Sequence, residues 1–364
     1  MVENSNSKKK IEVQALTHFC REVFEKCGLD TENAQYCAEV LVAADVRGIP
    51  SHGVGRLWRY VNGLLGKQMR PDTKDIIVRE SSTSLVVDAD GGMGAPVSIR
   101  TMNAIIQKAE TTGAAFGCVK NSNHFGIAGY YAMMALEHDM LGIAMTNTAA
   151  LGVPTFGRQV MFGTNPLAFC APADKEKAFV LDMSTTTVSR GKVEVYNREG
   201  KMLPEGWAVD SSGLTATDAG KILTDMLERR GGGLLPLGGF GETFGGYKGY
   251  GLAVMVDILC AVLAGSQFGS DVYDKTETSA RVSHFFGAVK ISGFRNPADF
   301  RRDLDIMLER LRSTPPAEGE NRVYFAGQKE FEYEKKVYRE GLLLDPGTSR
   351  SLEQIARKFA VEWR

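Results

Sequence analysis

The fold class follows from residues 114–146, AAFGCVKNSNHFGIAGYYAMMALEHDMLGIAMT. Ala114–Val119 and Leu141–Thr146 are short, mainly apolar runs typical of strands. Between them, Asn121–Gly126 has the composition of a polar loop, and Ile127–His138 has that of a helix. A strand, a loop, a helix and a second strand in this order indicate an α/β layer structure.

The same alternation continues on both sides of this stretch. Ser84–Asp88 predicts a strand before it, and Leu167–Ala171 and Ala178–Asp182 predict two more after it. Farther toward the N-terminus, Val13–Lys26 repeats apolar residues at three- and four-residue steps, as an amphipathic helix does. We therefore expect an α/β (α+β) fold in which a helical part joins an α/β part.

Three parts are expected along the chain. Residues 1–75 are predicted to form a helical N-terminal part, residues 76–246 an α/β cofactor-binding domain, and residues 281–364 a strand-helix segment that returns to the α/β part. The long helix predicted within residues 247–280 is expected to pack against the N-terminal part.

Composition excludes several classes of protein. The chain has 364 residues and a formal net charge of -1, which provides no basic excess for binding nucleic acid. Lys8-Lys9-Lys10 ends a polar tail, residues 1–10, and no apolar segment of a secretory signal follows it. The most apolar segment, Leu252–Ala264, contains Asp257 and is too short to span a bilayer. We expect a cytoplasmic protein with no membrane or nucleic-acid partner.

Cysteine and metal chemistry are also limited by the sequence. The six cysteines include no C-x-x-C pair, so free buried thiols are expected. No two histidine, aspartate or glutamate residues have the spacing of metal ligands in a predicted loop or helix face. We predict no metal site, and a polar linker at Ser266–Thr278.

One predicted elbow between helices carries three reactive side chains. A helix ends at Gly48, and the next helix fits Val54–Leu65, with Ser51 placed to cap it. If that helix begins early, His52 and Arg56 lie four residues apart on one face. A histidine can transfer a proton at neutral pH while a guanidinium binds a carboxylate. Considered alone, His52 fits a capping or hydrogen-bonded loop histidine better, and Arg56 can equally form a surface ion pair.

A second histidine lies in the loop of the opening stretch. His124 is flanked by polar and small residues in Asn121–Gly126, at the end of a predicted strand, where α/β proteins place ligands. The remaining histidines, His18, His138 and His284, are interpreted as surface or structural residues.

No standard nucleotide motif is present. The chain has neither G-x-G-x-x-G nor a P-loop, so a dinucleotide would have to bind by another fold. Lys248, at the start of a predicted long helix, can hold a phosphate or carboxylate, or can be a solvated lysine. Asp182-Met-Ser-Thr-Thr186 leaves a strand, and it either caps a helix or lines a cofactor.

Five motifs occur along the chain in this order: Ser51-His-Gly-Val-Gly-Arg56, Asn121-Ser-Asn-His-Phe-Gly126, Gly163-Thr-Asn-Pro166, Asp182-Met-Ser-Thr-Thr186 and Gly245-Gly-Tyr-Lys-Gly-Tyr-Gly251. Together they resemble the malate/L-lactate dehydrogenase family that lacks a Rossmann domain, which includes ureidoglycolate dehydrogenase, sulfolactate dehydrogenase and diketogulonate reductase. The resemblance covers roughly residues 12–360. The chain departs from the family at Ala326-Gly327-Gln328, where Pro-Gly-Glu is common.

The resemblance implies a mixed, non-Rossmann sheet, a homodimer, and NAD or NADP as the cofactor. It implies that His52 and His124 are the acid/base candidates and that Arg56 binds the substrate carboxylate, with Ser51 and Lys248 also in the catalytic site. The positions that match cofactor or active-site residues of the family are Thr148, Asp182, Met183, Ser184, Lys248, Gly327 and Gln328.

We therefore predict an NAD(P)-dependent oxidoreductase that interconverts a 2-hydroxy acid and a 2-oxo acid, with malate and oxaloacetate as the first expectation. Ureidoglycolate, lactate, sulfolactate and a cyclic 2-imino acid are alternative substrates. A binding protein that has lost catalysis is an alternative from another class. The sequence leaves open which histidine moves the proton and whether the cofactor is NAD or NADP.

Overall fold

The computed structural model describes residues 10–272 and 280–363. The predicted N-terminal tail, except for Lys10, and part of the predicted linker at Ser266–Thr278 lie outside these residues. The strands are β1 (Lys10–Ile11), β2 (Ile76–Glu80), β3 (Ser84–Asp88), β4 (Ala114–Ser122), β5 (Met140–Thr146), β6 (Leu167–Ala171), β7 (Phe179–Met183), β8 (Ala208–Val209), β9 (Gly233–Leu234), β10 (Val282–Lys290) and β11 (Leu342–Leu343).

A seven-stranded sheet organises the molecule, with the strand order β2-β3-β4-β10-β5-β6-β7. β3 and β4 pair in parallel, whereas β10 pairs antiparallel with both β4 and β5. The predicted α/β class and the mixed sheet are therefore confirmed. Because β10 inserts between β4 and β5, the loops that follow these two strands at Ser122 and Thr146 lie at neighbouring positions on one sheet edge.

The helices alternate with these strands as the sequence predicts, with some changed ends. They are α1 (Val13–Lys26), α2 (Thr31–Val46), α3 (Leu57–Leu65), α4 (Gly94–Thr112), α5 (Ala128–Met133), α6 (Arg190–Arg198), α7 (Ala219–Glu228), α8 (Gly246–Asp257), α9 (Pro297–Arg312), α10 (Gln328–Glu340) and α11 (Pro346–Phe359). The predicted helix at Ile127–His138 is α5 followed by a 3-10 turn at Met134–His138, and α8 continues as a π-helical turn at Ile258–Val262.

One hydrophobic core joins the N-terminal helices to a face of the sheet. Phe24 and Leu41 from α1 and α2 belong to the same buried cluster as Tyr131 of α5 and Phe286 of β10. α4 and α5 contact the strands on this face, and α11 packs against α1 and α3. All six cysteines are buried and unpaired, as predicted.

The opposite face of the sheet is covered by α8 and its π-helical continuation. Val256 and Cys260 pack there against Cys118, Met145 and Phe285. The expectation that this helix packs against the N-terminal part is therefore wrong. Strand side chains alternate between two faces, and α8 covers the apolar face that α4 and α5 leave open. No helix among the described residues is both long and apolar enough to cross a bilayer.

A smaller unit with its own core follows the sheet strands in the chain. α6, α7, β8 and β9 enclose a cluster that includes Val193, Val209, Ile222 and Leu234. Residues 150–160, which precede β6, supply further members of this cluster. The division of the chain into residues 1–75, 76–246 and 281–364 remains a proposal about folding units.

Substituting Gly142 tests how closely α5 packs on the sheet. A Cβ added at Gly142 of β5 would lie 1.9 Å from the carbonyl oxygen of Ala132. We expect Gly142→Ala to force α5 away from β5 and to lower the free energy of unfolding by roughly 1–3 kcal/mol. Urea denaturation followed by circular dichroism measures this change. Gly293→Ala is the control, since a Cβ at this exposed position has no neighbour within 4 Å, and equal stabilities of the two variants would contradict the expected clash.

Candidate active site

The predicted elbow is built from two short 3-10 turns. Pro50–His52 forms the first, Val54–Arg56 forms the second, and α3 begins only at Leu57. The expected helix at Val54–Leu65 therefore starts later than predicted, and His52 and Arg56 do not share one helical face. Ser51 does not cap that helix, because its Oγ lies 2.9 Å from Nδ1 of His52 instead. Two turns in place of one helix still direct both side chains into one cavity.

A buried carboxylate fixes this elbow to α2. The backbone N–H of Val54 donates to Asp45 Oδ2 over 2.6 Å, and Asp45 is only 5% exposed. A Cβ at Gly53 would lie 2.2 Å from the carboxyl group of Asp45, so glycine is needed for this approach. Burial raises the pKa of Asp45 to about 7, although the hydrogen bond from Val54 opposes that rise. The buried carboxylate that ties the elbow to α2 therefore has a pKa near neutrality.

His124 follows β4, and two neighbouring groups form hydrogen bonds with its Nδ1. The N–H of Gly126 donates to its Nδ1 over 3.2 Å, and the Tyr60 hydroxyl lies 2.6 Å from the same atom. Burial, and then the charge of Arg56, lower the pKa of His124 well below its ordinary value. A neutral imidazole that accepts at Nδ1 carries its proton on Nε2.

The two candidate histidines stack on one another. The ring centroids of His52 and His124 are 5.4 Å apart, with an angle of 18° between their planes. Burial lowers the pKa of His52 to about 3, and the charges of Arg56 and Arg59 add to the effect. Both imidazoles are therefore neutral near pH 7 in the ligand-free protein.

A cavity of about 850 Å³, which includes its opening to solvent, contains both rings. Ser51, Arg56 and Thr148, also predicted from the sequence, line it. Arg59 and Arg190 supply two further guanidinium groups, whereas none of the lining residues that the structure describes is an aspartate or glutamate. The cavity therefore has a strong positive charge and two neutral imidazoles, which suits an anionic ligand with an oxygen that gains or loses a proton.

Asp257 of α8 holds the two loops on the sheet side of this cavity. The side-chain amides of Asn147 and Asn165 each donate to it over 3.1 Å. Asn165 Oδ1 in turn accepts from the backbone N–H of Thr148 over 3.2 Å. Burial raises the pKa of Asp257, and the two amide donors oppose the rise. The loop after β5 and the loop before β6 are thus tied to one helix.

His284 of β10 connects the ends of β4 and β5, where the two loops of the site begin. Its Nδ1 lies 2.8 Å from Thr146 Oγ1, and its Nε2 lies 3.0 Å from Ser122 Oγ. Its ring stacks on Phe125 with centroids 4.3 Å apart. Burial lowers the pKa of His284 to about 3. This fully buried histidine has a structural position, as interpreted from the sequence, and it supports the loop that carries His124.

A second cavity, of about 740 Å³ including its opening, contains Asp182 and Gly327 together with Arg47 and Lys329. Asp182 accepts from the N–H of Gly129 over 2.7 Å, so it caps α5 and also lines a cavity. It does not cap α6, which begins eight positions later at Arg190. Burial raises the pKa of Asp182 to about 6.

Gln328 lies beside this second cavity, at the start of α10. Its Nε2 donates to Glu332 over 2.9 Å, while its Oε1 is buried without a hydrogen-bond partner among the described residues. A buried acceptor without a donor is costly, and a ligand donor would remove that cost.

Four predicted residues do not line either cavity. Gln328 only follows Gly327 in the chain, and Met183, Ser184 and Lys248 are likewise absent from the residues that line these two cavities in the described part of the chain. Ser184 Oγ instead donates to the carbonyl of Thr186 over 3.0 Å. Lys248 is exposed, with Nζ 5.8 Å from the ring centroid of Tyr247.

Sequence reasoning missed four residues of the site: Tyr60, Arg59, Arg190 and Asp257. Tyr60 follows Arg56 by four positions, a spacing that would place both on one side of the helix predicted at Val54–Leu65. Asp257 is a carboxylate within the most apolar segment of the chain, which is itself a signal for a buried partner. Arg59 and Arg190 gave no signal, because an arginine near a helix start is more often a solvated residue.

Known proteins share this architecture. The profile of the malate/L-lactate dehydrogenase family matches residues 11–353. A malate dehydrogenase of Pyrococcus horikoshii is 40% identical over 347 residues, which cover 95% of this chain and 94% of that protein. An L-sulfolactate dehydrogenase of Methanocaldococcus jannaschii is 34% identical, covering 93% of this chain and 94% of that protein.

A solved structure agrees with the fold as well. The crystal structure of malate dehydrogenase from Entamoeba histolytica superposes with a TM-score of 0.94 and 32% identity. The superposition covers 98% of this chain and 99% of that chain. The likeness therefore extends over the sheet, the N-terminal helices and the smaller unit.

Asp45→Asn tests whether the elbow is held by a titrating carboxylate. Asparagine keeps an oxygen acceptor for Val54 but cannot ionise. The pKa of Asp45 in the folded protein, about 7, exceeds its ordinary value of 3.8. Ionisation therefore lowers the stability of the wild type progressively as pH rises from about 4 to about 7. We expect Asp45→Asn to be more stable than wild type above pH 7, by roughly 2–4 kcal/mol, and to lose this advantage toward pH 4.

Urea denaturation of both proteins between pH 4 and pH 8 measures this difference. Asp72→Asn is the matched control, because it removes an exposed carboxylate and changes the net charge equally. A stability difference between Asp45→Asn and wild type that does not vary with pH would contradict the assignment.

Proposed function

Because the chain belongs to the malate/L-lactate dehydrogenase family and is a dehydrogenase of 2-hydroxy acids, we propose that it interconverts malate and oxaloacetate with a nicotinamide dinucleotide. The observation that carries the proposal is the first cavity, where two neutral imidazoles lie beside three guanidinium groups. The 40% identity to a malate dehydrogenase supports the choice of acid.

Arg56 binds the C1 carboxylate in this proposal. Its Nε donates to the carbonyl oxygen of Ser51, which orients the guanidinium within the elbow. The terminal amino groups then form the fork that a carboxylate accepts in a bidentate way. This contact places the C2 oxygen of the acid near the histidine pair that lines the same cavity.

His124 transfers the proton to and from the C2 oxygen. The Tyr60 hydroxyl can donate to Nδ1 or accept from it, so this nitrogen keeps a partner in both protonation states. A proton-transfer histidine that is oriented by a third group has the arrangement expected of a general acid or base. His52 stacks on His124 and helps to form the wall that contains Arg56.

Substrate charge changes the protonation of the histidines. In the ligand-free protein, Arg56 contributes to the lowered pKa values of both rings, after burial. A bound carboxylate offsets that positive charge, which raises both pKa values and makes the imidazolium accessible. The acid needed for reduction is thus formed when the 2-oxo acid binds.

A nicotinamide cofactor, when bound, supplies or accepts the hydride at C2 of the acid. We assign the remainder of such a molecule to the second cavity, which Asp182 and Gly327 line and where a Cβ at position 327 would lie 2.8 Å from Val180. Gln328, the next residue, has a buried Oε1 without a hydrogen-bond partner among the described residues. Asp182, Gly327 and Gln328 would hold it there, and Thr148 would hold it at the first cavity. Met183, Ser184 and Lys248 remain proposed contacts.

The same proposal includes a cytoplasmic homodimer. Val254, Ile258 and Val262 recur every four residues along α8 and its π-helical continuation, with exposed fractions of 37%, 50% and 53%. An apolar stripe of this kind suits a second copy of the chain. Lactate, ureidoglycolate, sulfolactate and a cyclic 2-imino acid remain the substrates against which malate must be tested, with NAD and NADP each supplied.

Replacement of the site residues tests the proton-transfer assignment. We expect His124→Gln to lower kcat for oxaloacetate reduction by roughly 10²–10⁴, the usual contribution of a general acid. His52→Gln should retain more turnover, because that ring supports the site without transferring the proton. Steady-state kinetics with NADH and with NADPH measure both, and exposed His18 provides the control variant His18→Gln.

Tyr60→Phe adds a readout that a purely structural role would not change. Without the hydroxyl, Nδ1–H of the imidazolium loses its acceptor, so the pKa of His124 in the complex falls. The pH profile of kcat for reduction should then decline from a lower pH than in wild type.

Near-wild-type turnover in both histidine variants would reject the acid assignment, and a larger loss in His52→Gln would exchange the two roles. Cofactor binding without turnover of any 2-oxo acid would favour the binding-protein alternative.

A further inference from the structure

We propose that Arg190 binds the second acidic group of the substrate and selects diacids over monoacids. The inference rests on the proposed function, because it assigns a specificity residue to the same cavity. It is carried by the charge of the cavity and by the position of α6 against the elbow.

More guanidinium groups line the cavity than one carboxylate can engage. Arg56, Arg59 and Arg190 line it, and its described lining residues include no aspartate or glutamate. The histidines add no charge near neutral pH, since burial and the nearby arginines lower the pKa values of both. One carboxylate neutralises Arg56 alone. A second anionic group on the substrate would offset a further positive charge in a site that partly excludes water.

Arg190 reaches this cavity from the smaller unit, whereas Arg56 and Arg59 belong to the elbow and α3. A Cβ at Gly191 would lie 3.6 Å from Cβ of Ser51, so the start of α6 is in contact with the elbow. Ser189, Arg190 and Gly191 all line the cavity. The two ends of a short diacid can therefore contact different units of the protein, with Arg56 at one end and Arg190 at the other.

The local surroundings of Arg190 suit exchange with an incoming carboxylate. In the ligand-free structure its Nε donates to Glu194 over 2.8 Å, and both side chains are 47% exposed. An exposed pair within one helix contributes little stability, so a ligand can compete for the guanidinium. Ser189 makes no side-chain cap at α6, so the first N–H groups of this helix favour an anion at the same point.

Arg190→Gln separates this role from others. The substrates are oxaloacetate, a diacid, and pyruvate and 2-oxobutanoate, which are monoacids. We expect kcat/KM for oxaloacetate to fall roughly 10- to 100-fold, as for the loss of one charge-assisted hydrogen-bonded contact. The kcat/KM of the better monoacid should change by less than about 3-fold, and KM for the cofactor should not change.

Two variants complete the experiment. Arg190→Lys should recover part of the preference for oxaloacetate, because it restores the charge without the fork. Arg198→Gln, an exposed arginine at the end of α6 that is outside the cavity lining, should match wild type on all three acids.

The outcomes distinguish the two proposals. Equal losses on the diacid and the better monoacid, or a raised KM for the cofactor alone, would show that Arg190 positions the site or binds a cofactor phosphate, and would overturn this inference only. An unchanged preference in Arg190→Gln would overturn it as well. Wild-type protein that reduces none of the three acids would reject the proposed function and this inference with it.

Discussion

The hydrogen bond from the N–H of Val54 to the buried carboxylate of Asp45 is the constraint on which the substrate side of the site depends. It holds the start of the second 3-10 turn against the end of α2, and the close approach of Asp45 requires glycine at position 53. The Asp45 carboxylate, whose pKa is raised by burial, therefore accepts a hydrogen bond from a backbone N–H that is itself buried at Val54. A buried carboxylate is costly, and here its position determines the direction of two functional side chains.

Three elements converge on the cavity, and each is anchored to a different layer. The elbow belongs to the core that α1, α2 and α11 share with one sheet face. The loops after β4 and β5 are joined by His284, and Asp257 on the opposite face holds the second of them. α6 belongs to the smaller unit. The loop after β5 also continues into residues 150–160 of the smaller unit, so that unit contributes to two walls of the cavity.

Local signals predicted the elements well and their tertiary relations poorly. α1 begins and ends as predicted, because its periodic apolar residues are a local feature of the sequence. The start of α3 was wrong because Asp45, nine positions before Val54, stabilises a turn that no neighbour of Val54 signals. His52, Arg56 and His124 were found because loop residues with chemistry are visible in a sequence. Tyr60 was missed because its partner, His124, is 64 positions away. Placement of α8 failed because the sequence does not state which sheet face an apolar helix covers.

The neutral state of the stacked histidines determines the source of the proton that the proposed reaction consumes. Neither ring carries the second proton of an imidazolium near pH 7 in the resting protein, so the proton that reaches the alkoxide is matched by one taken up from solvent as the anionic acid binds. Affinity for the 2-oxo acid is then thermodynamically linked to proton concentration, and it strengthens as the solution becomes more acidic. The 2-hydroxy acid carries the same carboxylates but reacts only while the imidazole is neutral, so the proton taken up on its binding opposes its oxidation. A fall in pH therefore favours the rate of reduction over the rate of oxidation at this site, while the overall equilibrium depends on the proton in the overall equation alone.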